Sequence, residues 1–243
     1  MPNVLILGAG SDIAVALARK FAAEGFGVQL AARNINRLFS LQSDLAIRYN
    51  AACSLHEFDA ERPDTHAAFL ESLPSLPDIS ISVFGYLGDE QKAESDWKEC
   101  HRILQVNYVG AISILNQIAE KYAALGRGVI VGISSVAGER GRKSNYLYGS
   151  AKAGFTAYLS GLRNRLFALN VHVLTVQPGF VYTKMTEHLK LPAPLTATPE
   201  QVAGAIATAV RKRKNMIYVK WFWRWIMLVI RCIPEPIFKK MNL

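Results

Sequence analysis

The stretch VLILGAGSDIA, residues 4–14, sets four apolar residues directly before a glycine-rich turn and the start of an amphipathic segment. The apolar run predicts a buried strand, and the apolar spacing over Ile13–Ala23 predicts a helix. Glycine between a strand and a helix allows close approach of a pyrophosphate, which the N–H groups of the helix start can bind. The candidate contacts are Gly8, Gly10, Ser11, Asp12 and Ile13. Because glycine is common at such turns, the rest of the chain must decide whether this turn binds a nucleotide.

Strand-length apolar runs and helix-length segments alternate along the chain. The strand-like runs are Val4–Leu7, Val28–Ala32, Ser54–Phe58, Ile79–Phe84, Gly128–Ser134 and Val171–Gln177. Amphipathic segments include Asn34–Tyr49 and the long Ser95–Ala124. The alternation predicts an α/β fold, namely a doubly wound, Rossmann-like and mainly parallel sheet covered by helices on both faces. With 243 residues, 51% of them hydrophobic, one such domain accounts for the chain.

A loop is predicted between residues 183 and 198, where polar residues and prolines interrupt the pattern. The next helix has a clear start. Thr198 is a good N-cap, Pro199 suits the first helical position, and Gln201 stands at the capping-box position.

The positive charge is concentrated near the C-terminus. Residues 211–243 hold nine lysines and arginines against one acid, Glu235, so this segment carries +8 of the formal net charge of +9. The three cysteines (Cys53, Cys100 and Cys232) lack metal-ligand spacing, and the N-terminus lacks the pattern of a secretory signal. We therefore expect a cytoplasmic protein with reduced thiols and no metal site.

Two residues at strand ends bear on the nucleotide. An acid after the second strand typically binds the ribose 2′-hydroxyl of NAD, whereas an arginine there can bind a 2′-phosphate. Arg33 stands at this place and favours NADPH, with NADH left open; the alternative is a solvated arginine at a helix start. Asp59, after the third strand, can accept a hydrogen bond from the adenine amino group or can simply end the strand.

The most specific pattern is ISSVAG, residues 133–138, followed by YGSAK, residues 148–152. Tyr148 and Lys152 are four residues apart and share a helix face. A lysine ammonium beside a tyrosine stabilises the phenolate and lowers the tyrosine pKa towards neutrality. Such a tyrosine can exchange a proton with an alkoxide. An isolated pair of this kind is usually an exposed surface pair, but Ser135 at a strand end, able to hold a substrate oxygen, favours catalysis.

These motifs resemble the short-chain dehydrogenase/reductase family over residues 3–219. The resemblance makes Tyr148 the proton donor, Lys152 the group that binds the nicotinamide ribose and tunes the tyrosine, and Ser135 the hydroxyl that orients the carbonyl. Asn107, in QVNY, matches the family's asparagine that supports a proton-relay water. The loop PGFVYT, residues 178–183, matches the segment that contacts the nicotinamide. It adds four candidate cofactor contacts: Pro178, Gly179, Val181 and Thr183.

The chain departs from the family pattern at two places. Leu7 replaces the usual threonine before Gly8, and Asp12 and Ala14 replace the later two glycines of the turn. The usual Asn-Asn-Ala-Gly after the fourth strand is FGYLG, residues 84–88, which leaves Gly85 as a candidate cofactor contact. Cofactor binding is still expected, while the departures leave cofactor choice open and indicate a particular subfamily.

The segment KWFWRWIMLVIRCI, residues 220–233, predicts a helix that Pro234 ends. Lys220, Arg224 and Arg231 fall within roughly 40° around such a helix, and its other residues are apolar apart from Cys232. Fourteen residues span only about 21 Å, short of the hydrocarbon core of about 30 Å. The pattern predicts a helix lying at a membrane interface; the alternative is burial in a dimer contact or over the substrate cleft. We assign residues 1–219 to a Rossmann-type domain and 220–243 to a basic, aromatic tail.

Four stretches also resemble the reductase component of decaprenylphosphoryl-ribose 2′-epimerase. They are FGYLGD (84–89), SSVAGER (134–140), YTKMTEHLK (182–190) and IPEPIFKK (233–240). That family, in cell-wall biosynthesis, reduces the 2′-keto form of a polyprenylphosphoryl pentose after a separate flavin-dependent oxidase has made the ketone. The resemblance implies a substrate held in the bilayer and an enzyme at its inner face. Arg140, Arg142 and Lys143 can then meet the substrate phosphate or form a solvated basic loop.

The sequence therefore predicts NAD(P)H-dependent reduction of a ketone to a secondary alcohol, first of all on this lipid-linked keto-sugar. Another lipophilic ketone (3-ketoacyl, sphingoid or steroid-like) is the alternative, and a non-catalytic nucleotide-sensing subunit is disfavoured by the intact Ser135, Tyr148 and Lys152. The expected partners are the membrane surface, the flavin oxidase and further copies of the chain. Nucleic acid is not expected, because the cations of the tail alternate with bulky apolar residues.

Overall fold

A seven-stranded parallel sheet forms the centre of the molecule in the computed structural model, which describes residues 1–187 and 190–241. Its order is β3-β2-β1-β4-β5-β6-β9, and every neighbouring pair is parallel. The strands are β1 Asn3–Leu7, β2 Gly27–Ala32, β3 Cys53–Glu57, β4 Ile79–Ser82, β5 Gly128–Ile133, β6 Val171–Pro178 and β9 Met216–Val219, with β7 Phe180–Val181 and β8 Thr196–Ala197 in a separate pair. The predicted doubly wound, Rossmann-like fold is confirmed.

Helices cover both faces of the sheet. They are α1 Asp12–Ala23, α2 Phe39–Tyr49, α3 His66–Glu71, α4 Glu90–Ala93, α5 Trp97–Leu104, α6 Gly110–Leu125, α7 Tyr146–Phe167, α8 Pro199–Arg211, α9 Trp223–Cys232 and α10 Glu235–Phe238. One buried apolar cluster lies under α1, α2 and α8, and a second lies under α6 and α7. The chain winds one way from β1 to β2 and the other way from β1 to β4, which opens a crevice at the carboxyl ends of these strands.

The sequence pattern missed one strand of the seven-stranded sheet. Met216–Val219 forms β9 at the edge of the sheet beside β6. Its four residues are mostly exposed or half-buried and follow a run of cations, so no buried apolar run marks it. β9 ends at Val219, the residue at which the Rossmann-type domain is predicted to end.

The predicted long helix over Ser95–Ala124 is divided. A π-helical turn, Gln105–Val109, lies between α5 and α6. Glycine is required at the start of α6, since a Cβ on Gly110 would lie 2.0 Å from the Ala60 carbonyl oxygen. π-helical turns are rare in proteins, and those that occur inside helices are often found at functional sites.

The loop before α8 is shorter than predicted. β8 lies inside the predicted loop and pairs with β7, which precedes the loop. A 3₁₀ turn, Ala193–Leu195, leads into β8. Thr198 and Gln201 form the predicted capping box at the start of α8. His188 and Leu189, which belong to the stretch 182–190 that resembles the epimerase reductase component, lie outside the described residues.

The tail packs against the domain through one face of α9. Trp223 and Met227 are buried and form an apolar cluster with Val136. The helix is shorter than the predicted 220–233, because Lys220–Phe222 form the turn that leads out of β9. Within residues 1–187 and 190–241, no helix has the length and apolar character needed to span a membrane.

Candidate active site

Ser135, Tyr148 and Lys152 come together where β5 meets the start of α7. Ser135 lies two residues beyond Ile133, the last residue of β5, and its Oγ accepts a hydrogen bond from Ala137 N (3.1 Å) at the start of a 3₁₀ turn. Tyr148 and Lys152 lie one turn apart near the start of α7, and Lys152 Nζ is 5.7 Å from the centre of the Tyr148 ring. The Ser135 hydroxyl lies close enough to the Tyr148 hydroxyl to favour its phenolate and lower its pKa. The three groups therefore face one reacting centre.

The neighbouring serine has a different task. Ser134 is buried, and its Oγ donates to the Lys152 carbonyl oxygen (3.0 Å) and lies 2.6 Å from Thr156 Oγ1. Ser134 therefore fastens β5 to α7, while Ser135 is the serine that meets Tyr148.

Burial controls the protonation of the lysine and the tyrosine. It lowers the pKa of Lys152 from 10.5 to about 8, and the Lys152 ammonium donates to the Ile133 carbonyl oxygen at 3.2 Å. Burial raises the pKa of Tyr148 to about 12, although the nearby Ser135 hydroxyl opposes this shift. The predicted lowering of the tyrosine pKa is thus wrong for this state of the protein, because desolvation of the phenolate outweighs the lysine at this distance. Tyr148 is held in its protonated form, the form that can donate a proton.

Asn107 lies in the π-helical turn and ties it to the loop after β4. Its Nδ2 donates to the carbonyl oxygens of Tyr86 (2.6 Å) and Ile103 (2.8 Å), and its Oδ1 accepts from Tyr86 N (3.2 Å). A Cβ on Gly85 would lie 3.1 Å from Asn107 Oδ1 and 3.6 Å from Lys152 Nζ. Gly85 therefore lies directly beside the catalytic lysine. The relay water that the resemblance gives to Asn107 stays a prediction.

A cavity of about 830 Å³ lies at the carboxyl ends of β1 to β4. Predicted contacts that line it are Gly8, Gly10, Ser11, Asp12, Arg33, Asp59 and Gly85. Ile13 is partly buried and packs against the core on the α1 side of the sheet. The volume and the glycine turn fit a dinucleotide.

The two glycines of the turn differ in what they require. Gly8 has a φ of +90°, and a Cβ there would lie 2.6 Å from Phe84 N, so the fold itself demands glycine. A Cβ on Gly10 would have no described neighbour within 4 Å, so this position faces open space. Ser11 caps α1 by accepting from Ala14 N (3.2 Å). An open backbone beside a capped helix start suits a pyrophosphate.

Arg33 lines the cavity just after β2 and is held by an acid that the sequence did not reveal. Glu61 Oε1 accepts from Arg33 Nη1 (3.1 Å) and from Arg102 Nη2 (3.2 Å). The Arg102 guanidinium in turn lies 4.5 Å from the Tyr86 ring centre. Asp59 Oδ1 accepts from Glu61 N (3.0 Å) and so fixes the turn after β3. No spacing rule connects residues 33, 61 and 102, since only the fold brings them together.

The loop after β6 lines the cavity with residues that follow the predicted contacts in the chain. Lys184 and Met185 line the cavity, and Lys184 N donates to Asp12 Oδ2 at 2.8 Å. Pro178, Gly179, Val181 and Thr183 are not among the lining residues in the described part of the chain. Gly179 is instead covered by the tail, and Thr183 N donates to Thr186 Oγ1 at 3.2 Å. Their predicted contact with a nicotinamide stays a prediction.

The three basic residues proposed for a substrate phosphate point to different places. Arg140 turns towards the tail and binds carbonyl groups at the end of α9. Arg142 is half-buried, with its Nη2 3.2 Å from Met227 Sδ. Lys143 is exposed. The three side chains therefore form neither one phosphate-binding surface nor a fully solvated basic loop.

The chain belongs to the short-chain dehydrogenase family, whose model matches residues 2–193. It is 38% identical over 243 residues to an uncharacterized oxidoreductase of Mycobacterium tuberculosis, covering 98% of this chain and 96% of that one. An uncharacterized oxidoreductase of Streptomyces coelicolor is 34% identical over 242 residues, with 98% and 95% covered. A solved short-chain dehydrogenase from Sphingobium yanoikuyae in complex with NADPH has the same fold, with a TM-score of 0.83, 23% identity and 97% of each chain covered.

The fold, the family and the arrangement of Ser135, Tyr148 and Lys152 define an NAD(P)-dependent oxidoreductase. In cofactor-bound form the nicotinamide supplies or accepts hydride. The protein's own groups hold the carbonyl oxygen and move its proton.

Proposed function

We propose that this enzyme reduces the 2′-keto group of a polyprenylphosphoryl pentose to a secondary alcohol at a membrane surface, with NADPH as its reductant. The observation that carries the proposal is that the tail packs beside the catalytic serine and leaves a second, apolar face of α9 exposed. The cofactor cavity and the proton donor support reduction of a ketone as the reaction. The exposed apolar face of the tail supports a lipid-linked ketone as the substrate.

The protein groups divide the chemistry between them. Ser135 Oγ donates a hydrogen bond to the ketone oxygen and fixes it beside the Tyr148 hydroxyl. Tyr148 gives its proton to that oxygen as negative charge develops there, and its high pKa keeps the proton in place until then. The ammonium of Lys152, next to Gly85, stabilises the phenolate that remains. A nicotinamide held in the cavity would supply the hydride.

The outer face of the tail supports work at a membrane. Trp225 is 55% exposed and Val229 65% exposed; Leu228, also on α9, and Trp221, in the turn before it, are exposed as well. Arg224 and Arg231 flank this surface, and Lys239 and Lys240 follow it. Exposed tryptophan and aliphatic side chains bordered by cations match the interfacial region of an anionic bilayer.

NADPH is favoured over NADH by the cavity wall. Arg33 is the arginine at the end of β2, and Arg37 also lines the cavity. Two guanidinium groups near the ribose suit a 2′-phosphate better than a hydroxyl. The pairing of Arg33 with Glu61 leaves its remaining donors for this phosphate.

The test follows nicotinamide oxidation on a short-chain prenylphosphoryl 2-keto-pentose, formed in situ by a flavin-dependent oxidase from the ribose form. A 3-ketoacyl thioester and a steroid ketone serve as comparison substrates. We expect the keto-pentose to have the highest kcat/KM, by at least about tenfold, since a site built to bind polar groups of its substrate rejects analogues that lack them. Bound NADPH without turnover of the keto-pentose, together with turnover of either comparison ketone, would overturn the assignment of the substrate.

A further inference from the structure

We infer that Arg140 is a positioning residue that clamps the tail helix α9 onto the catalytic-serine turn, so that the tail forms part of the substrate site. Arg140 ends the 3₁₀ turn that Ser135 begins, five residues after that serine. Within the described residues, the partners of its guanidinium all belong to the tail.

The guanidinium of Arg140 binds the end of α9 through both of its terminal nitrogens. Its Nη1 donates to the carbonyl oxygens of Ile230 (2.6 Å) and Ile233 (2.6 Å). Arg140 Nη2 donates to Glu235 Oε2 at 3.0 Å. Arg140 Cζ lies 3.7 Å from the centre of the Phe238 ring. The last carbonyls of a helix lack partners within the helix and attract a cation. Arg140 therefore serves as the C-terminal cap of α9, and its side chain is only 15% exposed.

Two further residues of the same turn hold α9. Glu139 Oε2 lies 3.6 Å from Arg231 Nη1, and the Glu139 side chain is nearly buried. Arg142 Nη2 lies 3.2 Å from the sulfur of Met227, the most deeply buried residue of α9. The segment after the catalytic serine thus grips the helix at several points.

The other end of α9 is fixed on the loop after β6. A Cβ on Gly179 would lie 2.0 Å from Trp223 Cε2, so the indole lies directly on the backbone of this loop. The Trp223 indole N–H donates to the Leu195 carbonyl oxygen (3.1 Å), and its ring meets Phe180 edge to face. Trp223 also packs against Val136, the residue after Ser135.

The helix therefore bridges the two loops that border the catalytic groups. One loop carries Ser135, and the other follows β6, the strand beside it. If α9 moves, both loops lose a packing partner at once. The consequence for turnover rests on the proposed ketone reduction, whereas the clamp itself does not.

The first test compares Arg140→Gln with Arg165→Gln in the full chain saturated with NADPH. Arg165 is the matched control, because it lies on α7 and forms a surface ion pair with Glu120 of α6. Hydrogen–deuterium exchange is followed in residues 135–145 and 220–238. We expect Arg140→Gln to speed exchange at least about tenfold in both segments and Arg165→Gln to leave both unchanged. Faster exchange in the tail alone would overturn the inference, and so would no change in either segment.

The second test uses kinetics on any ketone that the enzyme turns over. We expect Arg140→Gln to raise KM for the ketone at least about tenfold while Kd for NADPH stays within twofold. Arg140→Lys keeps the charge but has a single donor group. Its KM for the ketone should therefore lie between that of the wild type and that of Arg140→Gln. A lower kcat with unchanged KM would contradict a positioning role. If no ketone is turned over, the substrate proposal fails, and the exchange data alone still decide whether the clamp exists.

A milder variant covers the case in which Arg140→Gln does not fold. Glu235→Gln removes only the ion pair with Arg140, and the Glu235 side chain is 72% exposed. We expect a twofold to fivefold increase in tail exchange with a smaller increase in residues 135–145. Identical exchange to the wild type in both segments would count against the clamp.

Discussion

The ammonium of Lys152 lies 5.7 Å from the centre of the Tyr148 ring and 3.2 Å from the carbonyl oxygen of Ile133. The lysine is thus held by the last residue of β5, the strand that also delivers Ser135. Both charged forms, the ammonium and the phenolate, are disfavoured by burial at this place.

Tyr148→Phe should abolish turnover while leaving cofactor binding intact. The change removes the transferable proton and little volume, and proton transfer by a positioned group contributes roughly 10²–10⁴-fold to rate. Turnover and nicotinamide fluorescence would be measured on the same preparations. Tyr146→Phe is the matched control, since Tyr146 is an exposed tyrosine one half-turn away on α7. A Tyr148→Phe enzyme with near wild-type turnover would exclude the tyrosine as proton donor.

Lys152→Met should stabilise the cofactor-free protein near neutral pH. The pKa of Lys152 is about 8 in the fold and near 10.5 when unfolded, so the unfolded chain binds more protons between these values. The stability of the wild type therefore rises as pH increases from 8 to 10.5. At pH 7 the variant should gain up to about 3 kcal/mol, and its advantage should shrink by about pH 9.5. Urea unfolding at several pH values measures this, and a difference independent of pH would refute it.

Gly8→Ala and Gly10→Ala should separate a glycine of the fold from a glycine of the cofactor site. Gly8→Ala adds strain of about 1–3 kcal/mol, because its φ is +90° and its Cβ would strike Phe84. Gly10→Ala should leave Tm unchanged and weaken NADPH binding, because its Cβ would project into open space. Thermal unfolding and cofactor titration test both. Equal losses of stability in the two variants would show that Gly10 is not kept open for a ligand.

Arg33→Ala should weaken NADPH binding far more than NADH binding. Loss of charge-assisted hydrogen bonds to a 2′-phosphate costs about 1.5–3 kcal/mol, which is roughly a 10- to 100-fold increase in Kd. NADH, which lacks this phosphate, should change little. Arg62→Ala is the control, because Arg62 pairs with Asp64 and does not line the cavity. Equal losses for both cofactors would remove the argument for NADPH.

Trp225→Ser combined with Val229→Ser should reduce binding to anionic vesicles. Both side chains belong to the exposed face of α9, and each apolar group transferred from water contributes about 1.5–3 kcal/mol. Flotation of the full chain with anionic liposomes at low salt measures this. Trp97→Ser, which changes a tryptophan that is 69% exposed on α5, should bind like the wild type. If the wild-type protein does not float with the vesicles, α9 does not bind a membrane interface.

The sequence predicted those features that local patterns encode. The strands of the sheet centre are continuous apolar runs, and Tyr148 and Lys152 are linked by one helical turn. β9 was missed because an edge strand of four residues has no buried run. The break at Asn107 was missed because a π turn keeps helical composition. The pKa of Tyr148 was misjudged because spacing gives proximity to a lysine but not the extent of burial.

Long-range partners were also beyond the sequence. Arg140 and Ile233 are 93 positions apart, and an arginine in a basic loop looks solvated until the fold shows its partners. The two-sided character of α9 was hidden for the same reason: nearly all of its residues are apolar, so no pattern tells the packed side from the exposed one.

The clamp between Arg140 and the end of α9 makes the tail a poor candidate for modular exchange. A tail grafted from a relative would bring its own carbonyl positions, acid and aromatic ring to a turn shaped for Glu235 and Phe238. Chimeric enzymes that swap residues 220–243 alone should therefore fold with a loosely attached tail, whereas those that also carry residues 136–145 from the same parent should keep it. The two segments therefore form one structural unit, although they are far apart in the chain.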